Sequence, residues 1–292
     1  MTHAGFSSSG VVRALVNFTG FDETVATALG SRCSDNLKRL TSVFVSLSST
    51  NKWNDAKRTM RASNLVDTHL GDDDFWYALA DGAQMLDQYG HKASLCEFLD
   101  GAFATFEEGE NDDEMTLVKR YSDFIATSWG MDFMSGCFYD SECVRNESST
   151  GMGRSWRWQK CSQLAYLQPG YHGSLRYEKL TLDRLIEQCE YVFPNIYESH
   201  DLLTIVRDFN EKWGGDHPRG TRIFFSDYSD DPWRYVSVQE SHLELEQPYC
   251  YLECDGCGHC GAGVPENLTK CRDQEKYWVT RWLDEFEFSG NS

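Results

Sequence analysis

Asp231 and His259 are the residues of this chain whose types and setting suit proton transfer. Asp231 opens Asp231-Pro232-Trp233 and closes an acidic turn, Ser226 to Asp231, that follows the β-branched and aromatic run Thr221 to Phe225. That run reads as a buried strand, and Pro232 suits the first position of a helix, so the carboxylate falls in a strand-to-helix loop. A second strand candidate, Pro248 to Glu253, leads into Gly256-Cys257-Gly258-His259-Cys260-Gly261, a glycine-rich loop presenting one histidine. In the helix that follows, Trp278, Val279, Trp282, Leu283 and Phe286 share one face. An aspartate and then a histidine on successive strand ends match the last two members of a serine-hydrolase triad. There the histidine takes the serine proton, and a buried carboxylate fixes its tautomer.

The nucleophile of such a triad sits on a Gly-x-Ser-x-Gly turn. No serine of the chain has glycine at both −2 and +2; Ser7, in Gly5-Phe6-Ser7-Ser8-Ser9-Gly10, comes closest and fails at +2. The cysteines offer other chemistry. Cys250, Cys254 and Cys257 have the spacing of an iron-sulfur site, and Cys257-Gly-His-Cys260 copies a redox pair. Both readings need a compartment or a preceding fold that this chain does not suggest. Zinc held by three of these cysteines and His259 is the stronger rival, and disulfides within the His loop are preferred to it. The expectation is therefore no metal and no cofactor.

The elements that must position Asp231 and His259 come in three blocks. Ala4 to Phe18 reads as a strand and connection, and from Asp22 to about Trp213 the pattern is helical. Leu37, Leu40, Phe44 and Leu47 make one apolar stripe, Val118, Tyr121 and Phe124 a second, and Leu202, Ile205, Phe209 and Trp213 a third. Ser141 to Gly173 reads as irregular, and strand signals return only after Asp216-His217-Pro218-Arg219-Gly220. No internal repeat is seen. This is an α/β pattern, with a remnant of a sheet core in residues 1–21, a mainly helical domain in 22–213 and a closing α/β segment in 214–292.

At 292 residues the chain is long enough for two domains. Eleven cysteines and three glycosylation sequons, at Asn17, Asn146 and Asn267, point to an oxidising, glycosylating compartment. Met1 to Val16 nevertheless lacks the basic start and unbroken apolar run of a signal peptide. A net charge of −19 argues against nucleic acid and anionic membranes as partners. The acidic runs Gly71 to Asp74 and Glu107 to Glu114 read as solvated loops and helix starts rather than calcium sites. No stretch approaches the roughly 20 apolar residues of a membrane span.

The stretch Ile223 to Trp233 resembles the Asn-Gly-x-x-Asp-Pro-Trp segment of the serine carboxypeptidase family that holds lysosomal prolylcarboxypeptidase, dipeptidyl peptidase II and thymus-specific serine peptidase. Gly258-His259-Cys260 is similar to that family's Ser-His-Cys, and Arg154-Ser-Trp156-Arg-Trp158-Gln159-Lys-Cys161 to its Arg-x-Trp-x-Tyr-Gln-x-Cys. Gln84 to Cys96 resembles a piece of its helical domain, and Asn17 to Leu29 the stretch after its nucleophile strand. The chain departs from the family at Asp227-Tyr228, where the family has Asn-Gly, and at Ser162-Gln163, where it has Thr-Glu. The resemblance covers the family's C-terminal part and aligns Ala4 to Val12 beyond the Gly-Gly-Ser-Tyr-Gly-Gly elbow, which places the serine upstream of Met1.

The resemblance implies a partial α/β-hydrolase core with an inserted helical cap, catalytic Asp231 and His259, and a substrate pocket built from Trp233, Trp156, Trp158 and Gln159. It also implies a bridge between Cys161 and Cys189. The implied activity is a serine-type exopeptidase, a carboxypeptidase or dipeptidyl peptidase acting on peptides beside proline or a small residue. The implied location of the full-length parent is lysosomal or secreted. The alternative is a non-catalytic pseudoenzyme or partner-binding subunit. A homodimer is left open, as is dependence on an N-terminal segment outside this chain.

Overall fold

The computed structural model describes residues 4–107, 113–146, 152–261 and 263–289. Most of the acidic run from Glu107 to Glu114 and Ser148 of the second sequon lie outside them. Two short strands, β1 (Gly5–Ser8) and β2 (Leu15–Asn17), lead into a helical succession: α1 (Thr19–Ser48), α2 (Trp53–Thr59), α3 (Gly71–Gln88), α4 (Lys92–Glu107) and α5 (Glu114–Trp129). Next come α6 (Ser141–Asn146), α7 (Met152–Gln159), β3 (Ala165–Leu167), α8 (Leu182–Val192) and α9 (Leu202–Trp213). The chain closes with β4 (Ile223–Tyr228), β5 (Tyr249–Leu252) and α10 (Lys270–Ser289).

The strands β1, β4 and β5 form one parallel sheet in that order, with Gly5 opposite Ile223 and Phe225 opposite Tyr249. Parallel neighbours need a crossover, and the helical succession supplies the one between β1 and β4. A second parallel pair joins β2 to β3, and β3 lies within the stretch read from sequence as irregular. Ser141 to Gly173 thus holds α6, α7 and β3; its helices are short and β3 is only three residues long, so neither period had room to show. The overall pattern is an α/β fold, rich in helix.

Leu37, Leu40, Phe44 and Leu47 are all buried in one core cluster with Val118 and Tyr121. Gly30, at φ +72°, breaks α1 within its length. The third stripe needs correction: Leu202 and Val206 are buried, whereas Trp213 is 55% exposed at the end of α9, where left-handed Gly214 ends the helix. The stripe on α10 is likewise narrower than expected. Trp282 is fully buried with Phe224 and Leu252 of the sheet, and Trp278 and Val279 flank it, but Leu283 and Phe286 are exposed.

Asp72, Asp73 and Asp74 stand in the first turn of α3, as the acidic run suggested, yet two of them are buried rather than solvated. Asp74 accepts hydrogen bonds from Ser141 N and Oγ and from Gln188 Nε2, and Asp73 pairs with Arg184 at 2.8 Å. The carboxylates therefore tie α3 to α6 and α8 while complementing its dipole. Disulfides brace the same block: Cys33–Cys96 joins α1 to α4, Cys161–Cys189 ends on α8, and Cys137–Cys143 closes a short loop.

Cys33–Cys96 spans 63 residues, so it removes much loop entropy from the unfolded chain. Paired replacement, Cys33→Ser with Cys96→Ser, is expected to lower stability by about 2–5 kcal/mol. Denaturant unfolding of the two proteins checks this, and an unchanged midpoint would refute it.

Candidate active site

The C-terminal ends of the parallel strands converge on one point. Asp231 follows β4, His259 follows β5, and Ser9 follows β1. Crevices at the carboxyl ends of such strands are where α/β proteins bind ligands. His259 Nδ1 lies 3.1 Å from both carboxylate oxygens of Asp231. Because a carboxylate only accepts, Nδ1 carries the proton in this pair, and Nε2 is left as the base nitrogen. Asp231 is fully buried and caps the short 3₁₀ helix Pro232–Val236, its Oδ1 accepting from Trp233 N at 2.8 Å. The proline at the first helical position does what the sequence predicted.

The neighbouring carboxylate builds the His loop. Asp230 accepts from the backbone N–H of Gly256 (2.6 Å), Cys257 (3.2 Å) and Gly258 (3.2 Å), and pairs with Lys92 Nζ at 3.1 Å. Hydrogen bonds to a charged group contribute about 1.5–3 kcal/mol each, so this carboxylate outweighs any single packing contact in the loop. The loop also presses on the turn after α3. A Cβ at Gly258, φ +64°, would lie 2.6 Å from Gln88 O and Gly90 N, and one at Gly90, φ +78°, 2.8 Å from Gly256 O. Only glycine fits at either position. Cys254–Cys257 and Cys250–Cys271 are disulfides, so the zinc reading of this cluster fails for want of thiolates. Cys260 is free and exposed, its N–H donating to Ser9 Oγ at 2.8 Å.

Trp233 leans over this pair, its ring 6.0 Å from that of His259. Phe18, Phe21, Tyr166 and Trp156 surround it, and its Nε1 donates to Gln88 Oε1 at 3.0 Å. Trp233, Trp156 and His259 line one cavity of about 300 Å³ with Tyr77, Arg157 and Lys160. Trp158 and Gln159 are not brought there. They are exposed and line a separate surface cleft with Phe193, because they lie on the outer face of α7. Asn17, Asn146 and Asn267 are all exposed, as glycosylation requires.

Two further carboxyl groups stand behind the pair. Asp87 is buried with neither oxygen hydrogen-bonded, and burial, then the nearby Asp230, raises its pKa to about 8. Asp227 accepts from Ser237 Oγ, and its pKa rises to about 7, chiefly through burial and with the Asp231 charge adding to it. Among the described residues no serine hydroxyl is hydrogen-bonded to His259. Sequence reasoning passed over Asp230, Gln88, Asp87 and Lys160. The doublet Asp230-Asp231 was a signal, since one of two adjacent aspartates after a strand is free to cap a loop.

The chain is 28% identical over 308 residues to the probable serine protease EDA2 of Arabidopsis thaliana, covering 98% of this chain and 59% of that protein. It is 26% identical over 150 residues to the thymus-specific serine protease of Mus musculus, covering 49% of this chain and 28% of that protein. The chain therefore spans well under two thirds of these relatives' length. The sequence pattern of the serine carboxypeptidase S28 family matches residues 1–270, and the protein belongs to that family.

Proposed function

We propose that the protein is the histidine- and aspartate-bearing part of a serine-type exopeptidase acting on peptides beside proline or a small residue. The observation that carries this reading is the His259 Nδ1–Asp231 contact at 3.1 Å, at the ends of adjacent parallel strands. In this mechanism His259 Nε2 removes the proton from a serine as it attacks the scissile carbonyl, then returns it to the leaving amine. Asp231 orients the ring and stabilises its charged form. The serine comes from a segment outside the 292 residues, and the helical residues 22–213 act as the cap. Trp233 offers the flat apolar face against which a proline would stack, with Trp156 inclined to it at 66° and Gln88 holding the Trp233 ring edge.

The purified 292-residue chain is expected to leave a fluorophosphonate serine probe unreacted and to hydrolyse no acyl-proline or dipeptidyl substrate. Joined to an upstream segment carrying Gly-x-Ser-x-Gly, it should do both. In that longer protein Asp231→Asn should lower kcat by about 10⁴ and His259→Ala by at least as much. Substantial turnover in the His259→Ala protein would sink the assignment, whereas no turnover in the unaltered longer protein would favour the alternative, a non-catalytic binding subunit.

The disulfides and exposed sequons support a secretory or lysosomal setting, and among the described residues no helix is long and apolar enough to cross a membrane. Asp87 and Asp227 support an acidic one. Their folded pKa values, about 8 and about 7, lie above the unfolded value near 3.9. Between about pH 4 and pH 8 the folded protein therefore keeps protons that the unfolded chain has released, so stability falls as pH rises through that window. Melting temperature is expected to decline from pH 5 to pH 8, and Asp87→Asn to flatten the decline. An equally steep decline in the Asp87→Asn protein would contradict this account.

A further inference from the structure

His217, Glu240 and His242 meet where the chain enters the parallel strands. His217 lies in the connection from α9 to β4, and Glu240 and His242 lie in the connection leading to β5. Asp231 and His259 follow those strands, so in a parallel pair the two groups of residues stand at opposite ends. Each of the three side chains offers one ligand atom, and these atoms lie within 4.8 Å of one another. Backbone contacts hold the two connections together: Gln247 Nε2 donates to the carbonyls of Pro218 and Gly220, and His242 and Gln247 exchange hydrogen bonds at 2.9 and 3.0 Å. No local spacing marked the three residues in the sequence, because β4 separates His217 from the others.

His242 is only 7% exposed, yet its Nε2 has no hydrogen-bond partner among the described residues. A buried polar atom left unpaired is costly, and a ligand that meets it recovers that cost. The His242 ring lies 4.5 Å from that of His217. His217 Nδ1 lies 3.0 Å from Asp216 Oδ1, so Nδ1 carries the proton and Nε2 keeps a lone pair, 4.0 Å from Glu240 Oε1. An imidazole with a carboxylate behind it and a lone pair ahead is the arrangement of a metal-ligating histidine. Protonation of His217 would satisfy both carboxylates, but it would leave His242 Nε2 unmet and set a charged ring against it. A divalent cation meets all three residues.

We propose that His217, Glu240 and His242 bind a zinc ion, which clamps the entry to β4 against the entry to β5. Two imidazoles and one carboxylate suit zinc, whereas calcium and magnesium take oxygen ligands. Zinc holds such atoms at about 2.0–2.2 Å, which sets tetrahedral ligand atoms about 3.5 Å apart. The side chains of His217 and Glu240 are 65% and 74% exposed, so rotation can bring them that close, with solvent water completing the coordination. The clamp is independent of the peptidase reading, since it lies at the other end of the strands from Asp231 and His259.

The test is calorimetric titration of the metal-stripped 292-residue chain, free of any histidine tag and carrying Cys260→Ser so that the exposed thiol beside His259 takes up no metal. Zinc is expected to bind at one equivalent with micromolar affinity, and calcium and magnesium about 100-fold more weakly or not at all. His217→Gln should abolish that equivalent, and Asp216→Asn, which removes only the carboxylate behind His217, should weaken it by about 10–100-fold. Saturating zinc should raise the melting temperature of the parent chain and leave that of His217→Gln unchanged. Where a variant does not fold, the histidine ring nitrogen resonances of the parent locate the metal: zinc should move those of His217 and His242 and leave those of His259. No bound equivalent, an equivalent that survives in His217→Gln, calcium or magnesium bound as tightly as zinc, no rise in melting temperature, or resonances that move only at His259 overturns the proposal.

Discussion

Two adjacent carboxylates at the end of β4 divide the work of building the site, and everything near it depends on that division. Asp230 faces away from the cavity and gathers three backbone N–H groups and Lys92, which folds the loop from Gly256 to Gly258 onto the turn after α3. Asp231, one residue on, turns the other way, caps the short helix and meets His259. A loop rich in glycine loses much backbone entropy on ordering, so a charged acceptor for its N–H groups is what keeps the histidine in one place. The helical block contributes through Lys92, Gln88 and Gly90, which makes the geometry of the sheet end inseparable from helix α3 and the start of α4.

The cavity above this junction lies between the sheet end and the helical block. His259 stands on the sheet side, and Asp81, Arg157 and Lys160 stand on the helical side. Trp233 lies between them in an aromatic cluster with Phe18, Phe21 and Trp156. An apolar slot beside His259 is what the proposed exopeptidase function offers a short peptide end.

Much of this was legible in the sequence, for reasons that can be named. The β-branched and aromatic run before Asp231 and the proline after it are local signals, and they marked the strand, the loop and the cap. Leu37, Leu40, Phe44 and Leu47 showed the period of a buried helix face, because α1 is long. What escaped were contacts between residues far apart in the chain. β3 is three residues long and finds its partner β2 far earlier in the chain, so no local period marks it. Lys160 appeared only as the variable position of a motif; that its side chain turns inward beside Tyr77 follows from packing among α3, α7 and β3. Trp158 and Gln159 shared a motif with Trp156, yet at about 100° per residue the helix turns them away from the face that carries Trp156.

The central claim is that Asp231 holds His259 with its proton on Nδ1, and nitrogen-15 magnetic resonance of the labelled 292-residue chain tests it most directly. The account predicts a solvent-protected, downfield proton coupled to His259 Nδ1, and loss of that signal in Asp231→Asn. A proton found on Nε2, or an Nδ1 signal indifferent to Asp231→Asn, would contradict it.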